Sequence, residues 1–278
     1  VPAYLNFSSL RIVLDCAHGA CYKVSPSIFK ELGAEVILIG NNPDGFNINQ
    51  GCGSTHPELL QEEVVKHRAD YGVALDGDGD RVILVDSNGN ILDGDDLLYI
   101  MAFANPNRVG AWAGVVGTKM SNFGLEDGLN KLGYKFVRAD VGDKYVSQKL
   151  SEKGWLLGGE TSGHIISKDL VSTGDGTIAA LKVISSLMIL EKTPSEVLSN
   201  YNKRPQINIA VSVKNKDVIN DSSIQSAISE AQSDITVDRV LVRPSGTESK
   251  IRVMVEASDE NTAKKYAKNL SQLIESKL

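Results

Sequence analysis

The sequence predicts an α/β protein: two mixed, mostly parallel α/β sheet domains followed by a small α+β C-terminal domain. Three observations carry that expectation. Short, continuously apolar runs such as RIVLDC and AEVILIG alternate with helical patterns, as strands buried on both faces and joined by helices do. The same alternation recurs further along the chain. Beyond a proline-marked break the order changes, and the boundaries fall at residues 1–90, 91–200 and 206–278.

In the first segment RIVLDC is a strand, SPSIFKELG a helix closed by Gly33, and AEVILIG the next strand. PELLQEEVVKHR is a helix that Pro57 starts, with Glu58 near its positive end. YGVALD and RVILVD are strands on either side of an aspartate cluster. In the second segment DGDDLLYIMAFA, SNFGLEDGLNKLG and DGTIAALKVISSLMILEK read as helices, and AGVVGTK and YKFVRAD as strands. VGDK is a loop carrying Lys144, and KTPSEVLSNYNKRP, with Pro194 and Pro205, is the exit into a linker. In the third segment INIAVSV, DRVLV and KIRVMVEA are strands, and DSSIQSAISEAQ and NTAKKYAKNLSQLIESKL are helices.

The 278 residues are 42% hydrophobic and 23% charged, an ordinary globular composition. A net charge of −6 argues against a nucleic-acid partner, while leaving room for a local basic pocket. No apolar run reaches the ~20 residues that span a bilayer, and no signal peptide opens the chain. Cys16, Cys21 and Cys52 lack metal-site spacing and read as reduced thiols of a cytoplasmic protein.

In ALDGDGDRVILVD, Asp76, Asp78 and Asp80 alternate with glycines and Arg81 follows directly. Like charges this close expect a cation, and glycine lets the three carboxylates turn toward one ion. Oxygen-only ligands suit Mg²⁺ or Ca²⁺. A calcium-binding EF-hand loop fails, because Arg81 and Ser87 stand where glycine and glutamate belong and the flanks are strands. A phosphatase with an aspartyl nucleophile in a D-x-D-x-T motif lacks its threonine here. A solvated hairpin turn is the remaining alternative. Mg²⁺ beside an arginine makes sense where a phosphate completes the site, which is the arrangement of phosphoryl transfer.

Two glycine-flanked loops add to it. GGETSGHII spaces Glu160, Ser162 and His164 alternately, which puts three polar groups on one side of an extended chain, suited to sugar hydroxyls. A polar turn with a solvated histidine is the plainer reading. RPSGTES offers Arg243, the Ser245 and Thr247 hydroxyls and the Gly246 amide as a phosphate cradle, with Arg252 on the next strand; an ordinary Pro-Ser-Gly turn is the alternative.

Together these three motifs, in this order and over essentially the whole chain, resemble the α-D-phosphohexomutase family. The resemblance implies four domains around one cleft, each contributing a loop. It implies Mg²⁺ on Asp76, Asp78 and Asp80, sugar hydroxyls on Glu160 and Ser162, and the non-reacting phosphate on Arg243, Ser245, Gly246 and Thr247. Arg81, Lys144 and His164 fall at the reacting end, with His164 as acid–base group. FNINQGCGSTHPELL, LGGETSGHII and RPSGTESKIRVMVEA look most like the branch that interconverts glucosamine 6-phosphate and glucosamine 1-phosphate, with mannose and glucose phosphates as the alternatives. His18 and Ser249 depart from that branch's common asparagine and proline. The family's phosphoserine lies in a T-x-S-H-N-P-type loop of a first domain, and only ten residues precede RIVLDC. GSTHPE, with Ser54, is a poor substitute, since it lies in the metal-loop domain and reads as a helix start near Thr55 or His56. The expectation is therefore domains two to four of such an enzyme, catalytically incomplete alone, whose partners are a hexosamine phosphate and the phosphoserine domain.

Overall fold

The computed structural model describes residues 6–246 and 248–277. The first sheet contains β1 (Arg11–Asp15), β2 (Glu35–Ile39), β3 (Tyr71–Leu75), β4 (Val82–Asp86) and the short β5 (Ile91–Leu92), with helices α1 (Val24–Glu31) and α2 (Glu58–His67). Its order is β2-β1-β3-β4-β5. β1 runs parallel to β2 and β3, while β4 is antiparallel to both β3 and β5, so the sheet is mixed. Ile12, Val13 and Leu14 are all fully buried, which is why this strand reads as an unbroken apolar run.

The second sheet is built from β6 (Gly114–Thr118), β7 (Lys135–Ala139), β8 (Leu157–Gly159) and β9 (Ile165–Ser167), ordered β7-β6-β8-β9. β6 pairs in parallel with β7 and β8, and β8 and β9 form an antiparallel hairpin. Helices α3 (Gly94–Ala104), α4 (Phe123–Lys131), α5 (Asp143–Lys153), α6 (Gly176–Leu190) and α7 (Pro194–Leu198) accompany it. Asp93 opens α3 with a reciprocal capping box on Asp96, and the Asp175 carboxylate accepts from Ile178 N–H to cap α6. Leu14, Leu75 and Leu84 of the first sheet share one apolar core with Leu98, Leu125 and Ile184. Both sheets accordingly lie in one compact unit that runs to Ser121 and resumes over Leu125–Tyr201.

The other unit, Asn122–Gly124 with the chain from Asn202 on, has its own core. β10 (Gln206–Ser212), β11 (Val237–Pro244) and β12 (Lys250–Ala257) form an antiparallel sheet ordered β10-β12-β11. α8 (Ser222–Ser233) and the strongly amphipathic α9 (Glu260–Glu275) pack on it through Ile224, Ala231, Ala263, Ala267, Leu270 and Ile274.

Two segments differ from the sequence expectation. Lys144 lies in the first turn of α5, not on a loop; Val146 and Leu150 are the buried i, i+4 pair that holds this helix down. KTPSEVL is not an open linker, because Thr193 and Glu196 form a capping box and Pro194 takes the first position of α7.

Candidate functional site

The six residues Asp76–Arg81 connect β3 to β4, whose closing pair is Leu75↔Val82. Gly79 adopts φ +78, a conformation that side chains disfavour, and this bends the loop back on itself. The Asp76 carboxylate, 2% exposed, holds that bend: its Oδ1 accepts from the Gly79 and Arg81 N–H groups, each at 3.1 Å. Its Oδ2 faces Arg81 Nε at 2.8 Å, and Asp80 Oδ1 lies 3.5 Å from the same nitrogen. Burial opposes the Arg81 charge, but the Asp76 and Asp80 carboxylates outweigh it and raise its pKa. Among the described residues neither Nη group of Arg81 makes a hydrogen bond, so both remain for a ligand.

Asp76, Asp78 and Asp80 are buried, exposed and half-buried in turn, and one oxygen of each lies within 4.8 Å of the others. Asp80 Oδ1 is buried without a hydrogen bond. An acceptor-only set with an orphaned carboxylate oxygen fits a hard divalent cation.

Backbone packing leaves this loop little room to move. Ala20 N–H donates to Gly77 O at 2.8 Å, and a Cβ on Gly77 would lie 2.6 Å from Ile48 Cδ1 and 2.7 Å from Asn49 Nδ2. The 41–53 segment is itself anchored by buried Asp15, whose Oδ2 accepts from Gly53 N–H at 2.7 Å. Ser54 N–H donates to Leu75 O at 2.9 Å, which sets GSTHP beside the metal loop. Pro57 is the N-cap of α2, with Thr55 and His56 immediately before it.

GGETSGHII is a tight turn, not one face of an extended chain. Gly163 N–H donates to Glu160 O at 3.0 Å and Gly163 takes φ +93, so Glu160, Ser162 and His164 diverge. Glu160 Oε1 accepts from Gly142 N–H at 2.9 Å, Ser162 is exposed, and His164 is 5% exposed. His164 turns to the metal loop: its Nδ1 lies 3.0 Å from Asp80 Oδ2. The main chain follows, with an Arg81↔His164 bridge and Val82 N–H donating to Gly163 O at 3.1 Å. The structure therefore brings Asp76, Asp78, Asp80, Arg81 and His164 together, while the exposed Lys144 ammonium sits 4.7 Å from the Tyr145 ring centroid.

In the C-terminal unit, Arg243 pairs across the strands with Arg252. Buried Ser245 receives Glu248 N–H on its Oγ at 3.3 Å, and Lys216 Nζ donates to its carbonyl at 2.7 Å. Gly246 is exposed with open space around it. Thr247 lies outside the described residues. Glu248 bonds both Lys250 (2.6 Å) and Arg252 (2.8 Å), which leaves Arg243 unpaired among the described residues.

Family models for phosphoglucomutase/phosphomannomutase match three stretches: α/β/α domain II over residues 3–89, α/β/α domain III over 93–204, and the C-terminal domain over 207–273. The chain belongs to the phosphoglucomutase/phosphomannomutase family. Its relatives include phosphoglucosamine mutase of Cellvibrio japonicus, 48% identical over 100% of this chain and 63% of that protein. Phosphoglucosamine mutase of Acinetobacter baumannii is 47% identical over 99% of the chain and 62% of its own length. The chain thus spans less than two thirds of these relatives. The fold matches that of Aspergillus fumigatus N-acetylphosphoglucosamine mutase, solved with GlcNAc-6P and magnesium, at TM-score 0.77 and 21% identity, over 95% of this chain and 65% of that one. A phosphoglucomutase/phosphomannomutase family protein of Burkholderia thailandensis gives 0.75 at 24% identity, over 96% and 60%.

Neither Gly174 nor Asn49 belongs to the three motifs. Gly174 packs on the His164 ring, and Asn49 on Gly77. The glycine-flanked aspartate in STGDGT, a smaller echo of the metal loop, was the signal for the first.

Proposed function

We propose that the chain is the metal- and sugar-binding part of a phosphoglucosamine mutase, which interconverts glucosamine 6-phosphate and glucosamine 1-phosphate. The observation that supports it most is the Asp76–Asp78–Asp80 group with Arg81 bound into the same loop. The three stretches 1–90, 91–200 and 206–278 each bring one loop, the first two from the unit whose sheets share a core. Asp76, Asp78 and Asp80 would hold Mg²⁺, which neutralises charge on a transferring phosphoryl group. Arg81 donates its free Nη groups to the equatorial oxygens of that phosphoryl. Glu160 and Ser162 take sugar hydroxyls, Lys144 serves the reacting end, and Arg243, Ser245, Gly246 and Thr247 bind the phosphate that is not reacting.

A phosphoserine from outside these 278 residues gives its phosphoryl group to the free sugar hydroxyl. The resulting bisphosphate turns over, and the serine takes back the other phosphate. Two-fold use of one site requires sugar and distal-phosphate contacts that accept either orientation.

The test is phosphorus NMR of the full-length protein with Mg²⁺ and glucosamine, glucose or mannose 6-phosphate. Conversion of the glucosamine ester at least ten times faster than the other two is expected. A preference for mannose or glucose phosphate overturns the substrate assignment, and release of inorganic phosphate alone favours a phosphatase. The 278 residues by themselves should give no turnover, and Ser54→Ala in the full-length protein should keep it within about three-fold.

A further inference from the structure

We propose that the buried Ser25–Thr177 hydroxyl pair is a positioning clamp for the metal loop: it joins the starts of α1 and α6, and both starts hold the loop at Gly79. The proposal rests on the reading of the aspartate group as a cation site. Gly79 O accepts at 2.9 Å from the N–H of Gly176, the first residue of α6. The Cys21 thiol, in the turn that leads into α1, packs on the same glycine so closely that any Cβ there would overlap Sγ. A Cβ on Gly176 would lie 2.6 Å from Arg81 O, so α6 also starts against the end of the loop. Ser25, whose hydroxyl neighbours that thiol, and Thr177, which follows Gly176, close the circuit with Oγ and Oγ1 2.7 Å apart. Gly79 is the residue whose positive φ bends the loop and whose N–H donates to the Asp76 carboxylate. Where α6 stands relative to α1 is thus passed to the bend that gathers the three carboxylates.

The pair is polar where an apolar pair would serve stability as well. Ser25 is fully buried and Thr177 5% exposed. Burying two hydroxyls adds little net stability, because desolvation offsets most of the bond they make. What the bond adds is a short, directed distance: 2.7 Å between the oxygens, against about 3.5–4.0 Å for a contact between carbons. Without the hydroxyls the two helix starts would part by about 1 Å, wider than the roughly 0.5 Å window of an N–H···O bond such as Gly176 to Gly79. Loss of the outer contacts that orient metal ligands typically costs about 10–100-fold in affinity.

Ser25→Ala combined with Thr177→Val removes both hydroxyls and leaves neither unpaired, so the fold is kept; a thermal melt of the full-length protein checks this. Mg²⁺ affinity of the double variant, measured by calorimetry, should fall about ten-fold, the lower end of the range for such contacts. Hydrogen exchange followed by mass spectrometry should quicken over residues 174–180, where the Gly176 N–H lies, while the rest of α6 stays protected. Thr177→Ser keeps the hydroxyl and should match the unsubstituted protein in both measurements. Affinity in the double variant equal to that of the unsubstituted protein, or unchanged exchange over 174–180, overturns the proposal. If the double variant does not fold, the single variants decide it: Mg²⁺ binding about ten-fold weaker in Thr177→Val than in Thr177→Ser supports the clamp, and equal binding overturns it. An unsubstituted protein that binds no Mg²⁺ overturns the cation reading instead, a different result, and exchange over 174–180 still tests the clamp.

Discussion

Asp76 and Asp78 are two positions apart in the motif and different in kind. Asp76 is buried and spends Oδ1 on two loop N–H groups, whereas Asp78 is exposed and bonds nothing in the loop. Asp78→Ala should therefore weaken divalent-cation affinity at least ten-fold and leave the melting temperature nearly unchanged. Asp76→Ala should lose the same affinity and also about 1–3 kcal/mol of stability, because Arg81 N–H loses its acceptor while Gly79 N–H keeps only the carbonyl of residue 76. Calorimetric titration and denaturant unfolding of the two variants check both statements. At this scale the sequence was informative where chemistry is dense: alternating Asp and Gly before Arg81 admits few readings. It was silent on which way His164 turns, since a tight turn and an extended chain carry the same letters. Gly163 at φ +93 decides between them, and a glycine in a row of glycines does not announce its dihedral.

Elements were legible in proportion to how continuously they are buried. β1, β3 and β4 read as apolar runs because both of their faces are covered. α5 was hidden because Gly142 stands at its N-cap in place of a capping side chain, and its exposed faces are polar. The β8–β9 hairpin was hidden because Gly158, Gly159 and Gly163 carry no strand propensity. Helix caps give two predictions. Asp175→Ala removes the side chain that accepts from Ile178 N–H and should cost about 1 kcal/mol in denaturant unfolding. In the C-terminal unit, hydrogen bonds from Ser223 hold Asp221 down to about 2, and those from Thr236 and Tyr266 hold Asp234 down to about 2. Both folded values lie below the ordinary 3.8, so this stability is complete above about pH 4 and is lost as the pH falls toward 2. Circular dichroism should show a shallower acid transition for Asp221→Asn with Asp234→Asn than for the unsubstituted chain.

Across the whole molecule, the class of fold was readable and the sharing of cores was not. Three sheets follow from three alternating segments, but nothing in composition marks that Leu14 and Ile184 belong to one apolar core while Val253 belongs to another. Contacts between distant residues decide that. Val253→Ala should accordingly lower hydrogen-exchange protection across residues 206–277 and leave β1, β3 and α6 as they were. No helix among the described residues is long and apolar enough to cross a membrane. The central claim, that Asp76, Asp78 and Asp80 form one divalent-cation centre, is tested most directly by electron paramagnetic resonance of Mn²⁺ titrated into the 278-residue chain. One bound ion per chain, displaced by Mg²⁺ and absent from Asp78→Ala, is the predicted result. Equal Mn²⁺ binding by the unsubstituted chain and Asp78→Ala, or none by either, would contradict it.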